Sequence, residues 1–207
     1  MRMTRKLFAL AFCLMFISVN AKATIDRDVN PGNKRVLLVS FIDKNFFTTY
    51  ENSVVAETNK ISESEILPTF DEKIASIFEN SSENGIEFVG FENKSDAIFD
   101  VVFFNYNEKE NMVANLSELP IEQFNALLDK NSVDYVIFIN FYQMKWIGDP
   151  QFKLDNEIHY SIIGRDKKSL LNDRYTFSTP KLVPLTKMEK KYQKAVAKIC
   201  DKFLKNS

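Results

Sequence analysis

Two segments of this chain are apolar at odd and even positions alike. Val36 to Ile42 reads VLLVSFI, and Val133 to Phe141 reads VDYVIFINF before the run continues to Trp146 with polar side chains on alternate positions at Gln143 and Lys145. A strand that alternates apolar with polar covers one face, whereas a strand apolar throughout needs cover on both. The two segments therefore predict a sheet with helices packed on it, in which they lie side by side at the centre.

The remaining periodicities fit around that pair. Phe70, Ile74, Ile77 and Phe78 recur at helical spacing behind Pro68, with Asp71 and Glu72 near the positive end of the dipole and Gly85 past the end. Ile86 to Phe91 reads as a second strand. Ser95 to Tyr106 suits a helix capped by Ser95, although Val101 to Phe104 has strand composition, and helix is the expectation. Ser117 to Lys130 predicts a further helix, with Pro120 early and Phe124, Leu127 and Leu128 on one face. Leu154, Asn156, Ile158, Tyr160 and Ile162 alternate with Asp155, Glu157, His159 and Ser161, the signature of a half-exposed strand. A last strand spans Leu170 to Phe177, and Leu185, Met188, Tyr192, Val196, Ile199 and Phe203 mark an amphipathic helix of about 20 residues. Residues 43 to 63 show no sustained period and are expected to form an irregular connection, with Phe46, Phe47 and Tyr50 as the residues that could order part of it. Strands separated by helices favour parallel crossovers, and strands joined by short turns favour an antiparallel meander. The expected class is thus α/β (α+β), a single domain with a mixed, roughly five-stranded sheet.

The first 23 residues read as an address rather than as structure. Arg2, Arg5 and Lys6 precede thirteen residues, Leu7 to Val19, with only Ser18 polar, and Ala21-Lys22-Ala23 supplies a small-x-small cleavage pattern before Thr24. That apolar run is too short to span ~30 Å of hydrocarbon, and no later stretch approaches the length needed. The expectation is residues 1–23 as signal peptide and 24–207 as one exported domain, periplasmic or secreted, without a transmembrane segment. After cleavage Cys200 is the one remaining cysteine, so no disulfide can form within the chain; its neighbours in the last helix predict a buried thiol.

Motifs that carry chemistry are scarce. The sequence has five glycines and one histidine, and it lacks a P-loop, a G-x-G-x-x-G fingerprint, a G-x-S-x-G elbow and a C-x-x-C pair, so no cofactor is expected. Asp155, Glu157 and His159 share one strand face and are the metal-like grouping, though same-face neighbours ~6.6 Å apart converge on one ion only with help from elsewhere. In open α/β sheets ligands bind beyond the carboxyl ends of parallel strands, which singles out Ser40, Asp43, Asn140 and Gln143 as candidate crevice residues. A hydrolase built on carboxylates or His159, and a carrier with a crevice near Ser40 and Asn140, are both open readings at this level.

Charge is unevenly distributed. Without residues 1–23 the chain carries 23 basic against 28 acidic side chains, so no global positive field exists to hold nucleic acid. Residues 24–130 hold 9 basic and 20 acidic groups, whereas residues 131–207 hold 14 and 8. The last helix concentrates the excess, with Lys187, Lys190, Lys191, Lys194, Lys198, Lys202 and Lys205 against only Glu189 and Asp201. Contact with an anionic component of the cell envelope, or with an acidic envelope protein, is the function this asymmetry suggests.

The strands Val36 to Asp43 (VLLVSFID) and Val133 to Gln143 (VDYVIFINFYQ), followed by the hairpin Glu157 to Phe177, resemble small envelope-associated α/β domains of bacteria. These are the amino-terminal domain of the TolB translocation protein and domains of curli-secretion and penicillin-binding-protein-activating lipoproteins. The matching positions are Ser40-Phe41 and Val133-Asp134-Tyr135. The resemblance implies a non-catalytic role in protein contacts at the cell envelope, and it carries over no functional residue. The Asn-, Lys- and Phe-rich composition together with the amino-terminal address suggests a Gram-negative source.

Overall fold

The computed structural model describes residues 33–81, 85–91 and 97–207. The segment read as a signal peptide lies outside them, as do Ser95 and Asp96. Twelve elements follow one another: β1 (Lys34–Ser40), β2 (Phe46–Thr48), α1 (Asn52–Asn59), α2 (Ile66–Glu79), β3 (Ile86–Gly90), β4 (Phe103–Tyr106), β5 (Met112–Asn115), α3 (Ile121–Lys130), β6 (Tyr135–Ile147), β7 (Lys153–Gly164), β8 (Ser169–Thr179) and α4 (Leu185–Asn206). Single 3-10 turns sit at Glu63–Glu65 and Ala97–Phe99.

The main sheet has the order β3-β1-β6-β7-β8, with β1 parallel to both β3 and β6 and with β6, β7 and β8 antiparallel. The two fully apolar segments are neighbours, Val36 opposite Tyr135 and Ser40 opposite Ile139. Alternation sends their side chains to two cores. Val36, Leu38, Ile137 and Ile139 pack beneath α1, α2 and α4, while Leu37, Val39, Val136 and Phe138 pack beneath α3, Phe99 and the β4–β5 hairpin. This is the mixed α+β class the periodicities predict.

Three expectations are corrected. The stretch 43–63 is ordered: β2 adds a sixth strand, pairing parallel with β6 from Phe46 opposite Tyr142 to Thr48 opposite Met144, and α1 follows it. The chain leaves β6 at Phe41 and rejoins it at Asn45, whose Nδ2 donates to the Asn140 carbonyl at 2.9 Å, so a short detour hid one interrupted strand from any periodicity reading. The helix expected over Ser95 to Tyr106 is, in its described part, one 3-10 turn and then β4, which pairs antiparallel with β5. Strand composition in Val101 to Phe104 outweighs the helical spacing because Phe104 stacks edge-on against Phe41, with centroids 4.8 Å apart. Finally, β7 is not half exposed. It lies inside the sheet, and from Ile158 to Gly164 every residue is buried, because α4 covers one face and β5 the other.

A bulge sets the phase of β6. Its pairing with β7 slips between Ile139 and Phe141, so two consecutive side chains, Asn140 and Phe141, turn to the hairpin side. Beyond the bulge Tyr142 and Met144 join the helical core, and Gln143 and Lys145 point to the opposite face.

Candidate functional site

Three polar side chains buried in the sheet hold the β4–β5 hairpin. Asn140 Nδ2 donates to the Met112 carbonyl at 2.9 Å and to Ser161 Oγ at 2.8 Å. The Ala114 N–H donates to Ser161 Oγ at 3.0 Å, and the Met112 N–H donates to His159 Nδ1 at 2.9 Å. A backbone N–H can only donate, so Nδ1 is an acceptor and Nε2 carries the proton that reaches Glu157 Oε2 at 3.2 Å. Both imidazole nitrogens are thus engaged, and the ring is 2% exposed. These side chains bond the edge of β5 that, among the described residues, pairs with no strand, and Asn140, singled out as a crevice residue, serves here as a tether.

Below the hairpin the same face of the sheet is open. Gln143, Glu157 and Thr176 form one row across β6, β7 and β8, and Lys145, Asp155 and Ser178 form the next. Glu157 meets His159 and also Arg174, whose Nη1 is 3.7 Å away. The hydrogen bond from His159 comes first among the influences that hold the Glu157 carboxyl below its ordinary pKa, with Gln143 and Arg174 adding to it against partial burial. Asp155 accepts from Ser178 Oγ at 2.6 Å and pairs with Lys153 at 3.1 Å. Asp155, Glu157 and His159 therefore share a face, but Glu157 and His159 engage each other while Asp155 is taken up by Ser178 and Lys153. Among the described residues no three His, Cys, Asp or Glu side chains are placed to share one ion.

Ser40 and Asp43 lie elsewhere. Ser40 is buried, with its Oγ 3.5 Å from the Ile42 N–H, and the hollow bounded by Ser40, Phe41, Asp43 and Phe99 has a volume of about 10 Å³. That is space for a single water. The carboxyl end of β1 does not open into a crevice because the chain continues along β6 as β2. A larger, shallow groove of about 580 Å³ runs beside α3, lined by Ile98, Val101, Pro120, Ala126 and Leu127 with Glu118, Gln123 and Lys130 at its rim.

The seven lysines of α4 form a row. At ~100° per residue they occupy an arc of roughly 120° along roughly 27 Å of helix, from Lys187 to Lys205. The core face carries Leu185, Met188, Tyr192, Val196, Ile199 and Phe203, all buried. Tyr192 fixes the roll of the helix: its hydroxyl donates to Tyr142 Oη at 2.6 Å, because the Tyr142 O–H is committed to Asn156 Oδ1 at 2.9 Å. Burial raises the pKa of both phenols. On one flank Glu189 pairs with Lys73 of α2; on the other Lys191 Nζ donates to the Ser178 carbonyl at 2.9 Å and Lys202 pairs with Asp173. Lys198 meets Asp201 at 3.7 Å. Lys187, Lys190, Lys194 and Lys205 have no ion pair among the described residues and are exposed. Sequence reading placed Ser161 on the face of Glu157 and His159 without assigning it a role, and it missed Arg174 and Asp173.

No helix among the described residues is long and apolar enough to cross a membrane. No protein-family model matches the chain, and no curated protein matches it. Among solved structures it is similar to the PelC dodecamer from Paraburkholderia phytofirmans, with a TM-score of 0.38 and 7% identity over 82% of this chain and 88% of that one. It is also similar to the hypothetical protein CT253 from Chlamydia trachomatis, with a TM-score of 0.48 and 11% identity over 84% of this chain and all of that one.

Proposed function

We propose that this protein is an exported accessory protein of the bacterial cell envelope that binds an anionic macromolecular partner on the lysine face of α4 and catalyses no reaction. The observation that carries the reading is the row of seven exposed lysines along one helix, four of them with neither an ion pair nor a side-chain hydrogen bond among the described residues, on a chain that is otherwise net acidic. Side chains that served only to solvate the helix would not need one sign of charge over ~27 Å, since mixed charges do this equally well and repel less. The resemblance of the two central strands to envelope-associated domains, and the amino-terminal address, support the same location.

Retention on immobilised dextran sulfate tests the binding. The chain beginning at Thr24 should be retained at low salt and released as the Debye length shrinks, and replacing Lys187, Lys190, Lys194 and Lys205 with Gln should abolish retention. Equal retention of the variant would overturn the reading. Sequencing the amino terminus of the exported protein tests the location, with Thr24 expected as the first residue.

A further inference from the structure

The lysine row lies against a sheet edge. Among the described residues β8 pairs only with β7, and its eleven residues form one margin of the main sheet. Two contacts show that α4 runs antiparallel along this margin: Lys191 reaches the Ser178 carbonyl and Lys202 reaches Asp173. Lys191 to Lys202 rises roughly 16 Å along a helix, and Asp173 to Ser178 advances roughly 17 Å along a strand, so the two elements keep pace.

The backbone groups of β8 that face outward can be assigned by parity. Tyr142 and Met144 turn their backbone groups to the β2 side, through the Asn45 carbonyl and the Thr49 N–H, so Asp155 and Glu157 face β6 and Asn156 and Ile158 face β8. Their partners Phe177 and Tyr175 face β7, which leaves the Ser178 carbonyl, met by Lys191, and the Arg174 N–H, which donates to Asp173 Oδ1 at 2.8 Å, on the outer side. The Asn172 carbonyl is likewise approached by Asn111 Nδ2, at 3.5 Å. In an antiparallel pair, alternate residues turn both backbone groups the same way. Residues 172, 174, 176 and 178 thus present N–H and C=O to the open side, and side chains that an incoming backbone can displace satisfy part of them.

We infer that the partner on this face is an extended acidic segment of another protein, which adds as a strand to the open edge of β8 and lays alternate carboxylates under the lysine row. The inference rests on the proposed function and names its partner. A strand added ~4.8 Å beyond β8 would send every second side chain, ~6.8 Å apart, to the side where α4 lies. There Lys187, Lys190 and Lys194 are unpaired among the described residues, Lys194 lying between the two β8 contacts at Lys191 and Lys202 and the other two continuing the row beyond Lys191. The other margin offers no such match, because β3 has five residues and its Glu87 pairs with Arg35. A lipid surface fits less well, since the apolar side of α4 is buried and leaves nothing to insert between headgroups.

The test uses the chain from Thr24 and fluorescent twelve-residue peptides in which Glu alternates with Thr or Val. One peptide has free amides; two others are N-methylated at every second residue, in one or the other parity. The free peptide should bind in low salt, and one methylated parity should bind roughly tenfold or more weakly while the other matches the free peptide, because only one set of amides pairs with β8. Equal binding of all three, with dextran sulfate still retained, overturns strand addition and leaves the lysine reading standing. Binding of dextran sulfate or of phosphatidylglycerol vesicles without any peptide binding overturns the acidic segment in favour of a polysaccharide or a lipid. Binding of none of these probes overturns the lysine reading as well.

Discussion

Glu157 carries a directional consequence for acid stability. Its carboxyl is held below the ordinary value of 4.5 by the His159 hydrogen bond first, and by Gln143 and Arg174 beside it. The stabilisation is therefore fully present above the unfolded value, and it is lost as pH falls through the lower value of the folded state. Urea midpoints followed from about pH 7 to about pH 3 should fall at the acid end, and a Glu157→Gln variant should lose less over the same range. Cys200 gives a second expectation. Burial pushes its thiol pKa up to about 11, so almost no thiolate exists near neutrality. A disulfide reagent should label it only in denaturant; rapid labelling of the native protein would place it on an accessible surface. The sequence made the first of these residues visible through parity alone, since Glu157 and His159 had to share a face. What parity could not supply was His159's second partner, the Met112 N–H, because that residue is 47 positions away and reaches the ring only through the hairpin.

The β4–β5 hairpin is the element whose position depends most on a few polar contacts. Two paired strands are marginal by themselves in water. This one is fixed to the sheet by apolar contacts of Phe104 and Ala114 and by the buried bonds of Asn140, His159 and Ser161. Ser161→Ala would remove the acceptor of the Ala114 N–H and a partner of Asn140, at a cost of roughly 1–3 kcal/mol. Hydrogen exchange should show the Met112 and Ala114 amides opening faster in that variant while amides of α2 keep their protection; uniform acceleration would show that the hairpin unfolds only with the whole domain. The same element shows where periodicity stops being informative. Long elements with a single buried stripe, such as α2 and α4, are written in their spacing. β6 is legible as a strand, but its bulge at Asn140 shifts the phase, so a reader sees apolar residues at every position and cannot tell a doubly covered strand from one that switches faces. β2 and β5, of three and four residues, are shorter than the window in which a period of two can be recognised.

At the scale of the molecule, charge is segregated between helices that sit side by side on the sheet. α4 carries Lys at seven positions, whereas residues 51–79 carry seven acidic groups and two lysines, and Lys73–Glu189 bridges the two regions. Exposed pairs of this kind contribute ~0–1 kcal/mol, so the segregation does little to hold the fold together. Its effect lies in what the surface attracts. At physiological ionic strength the Debye length is ~8 Å, so an anion touching one end of a row ~27 Å long is screened from the other end. Only a linear polyanion lying along the axis of α4 gathers the charge of every lysine. This separates a row from a point site. Replacing Lys187 and Lys190 with Gln, at one end, and Lys198 and Lys205 with Gln, towards the other, should each weaken dextran sulfate binding by similar factors, and the quadruple variant should show the product of the two. Thermal unfolding should stay within about 1 kcal/mol of the unaltered chain for all three, because the side chains removed are exposed and Lys198 alone among them has an ion pair among the described residues. Loss of binding from one pair only would mean that the anion is held at a single point on the helix, and a partner laid along β8 would then have no lysine row to follow.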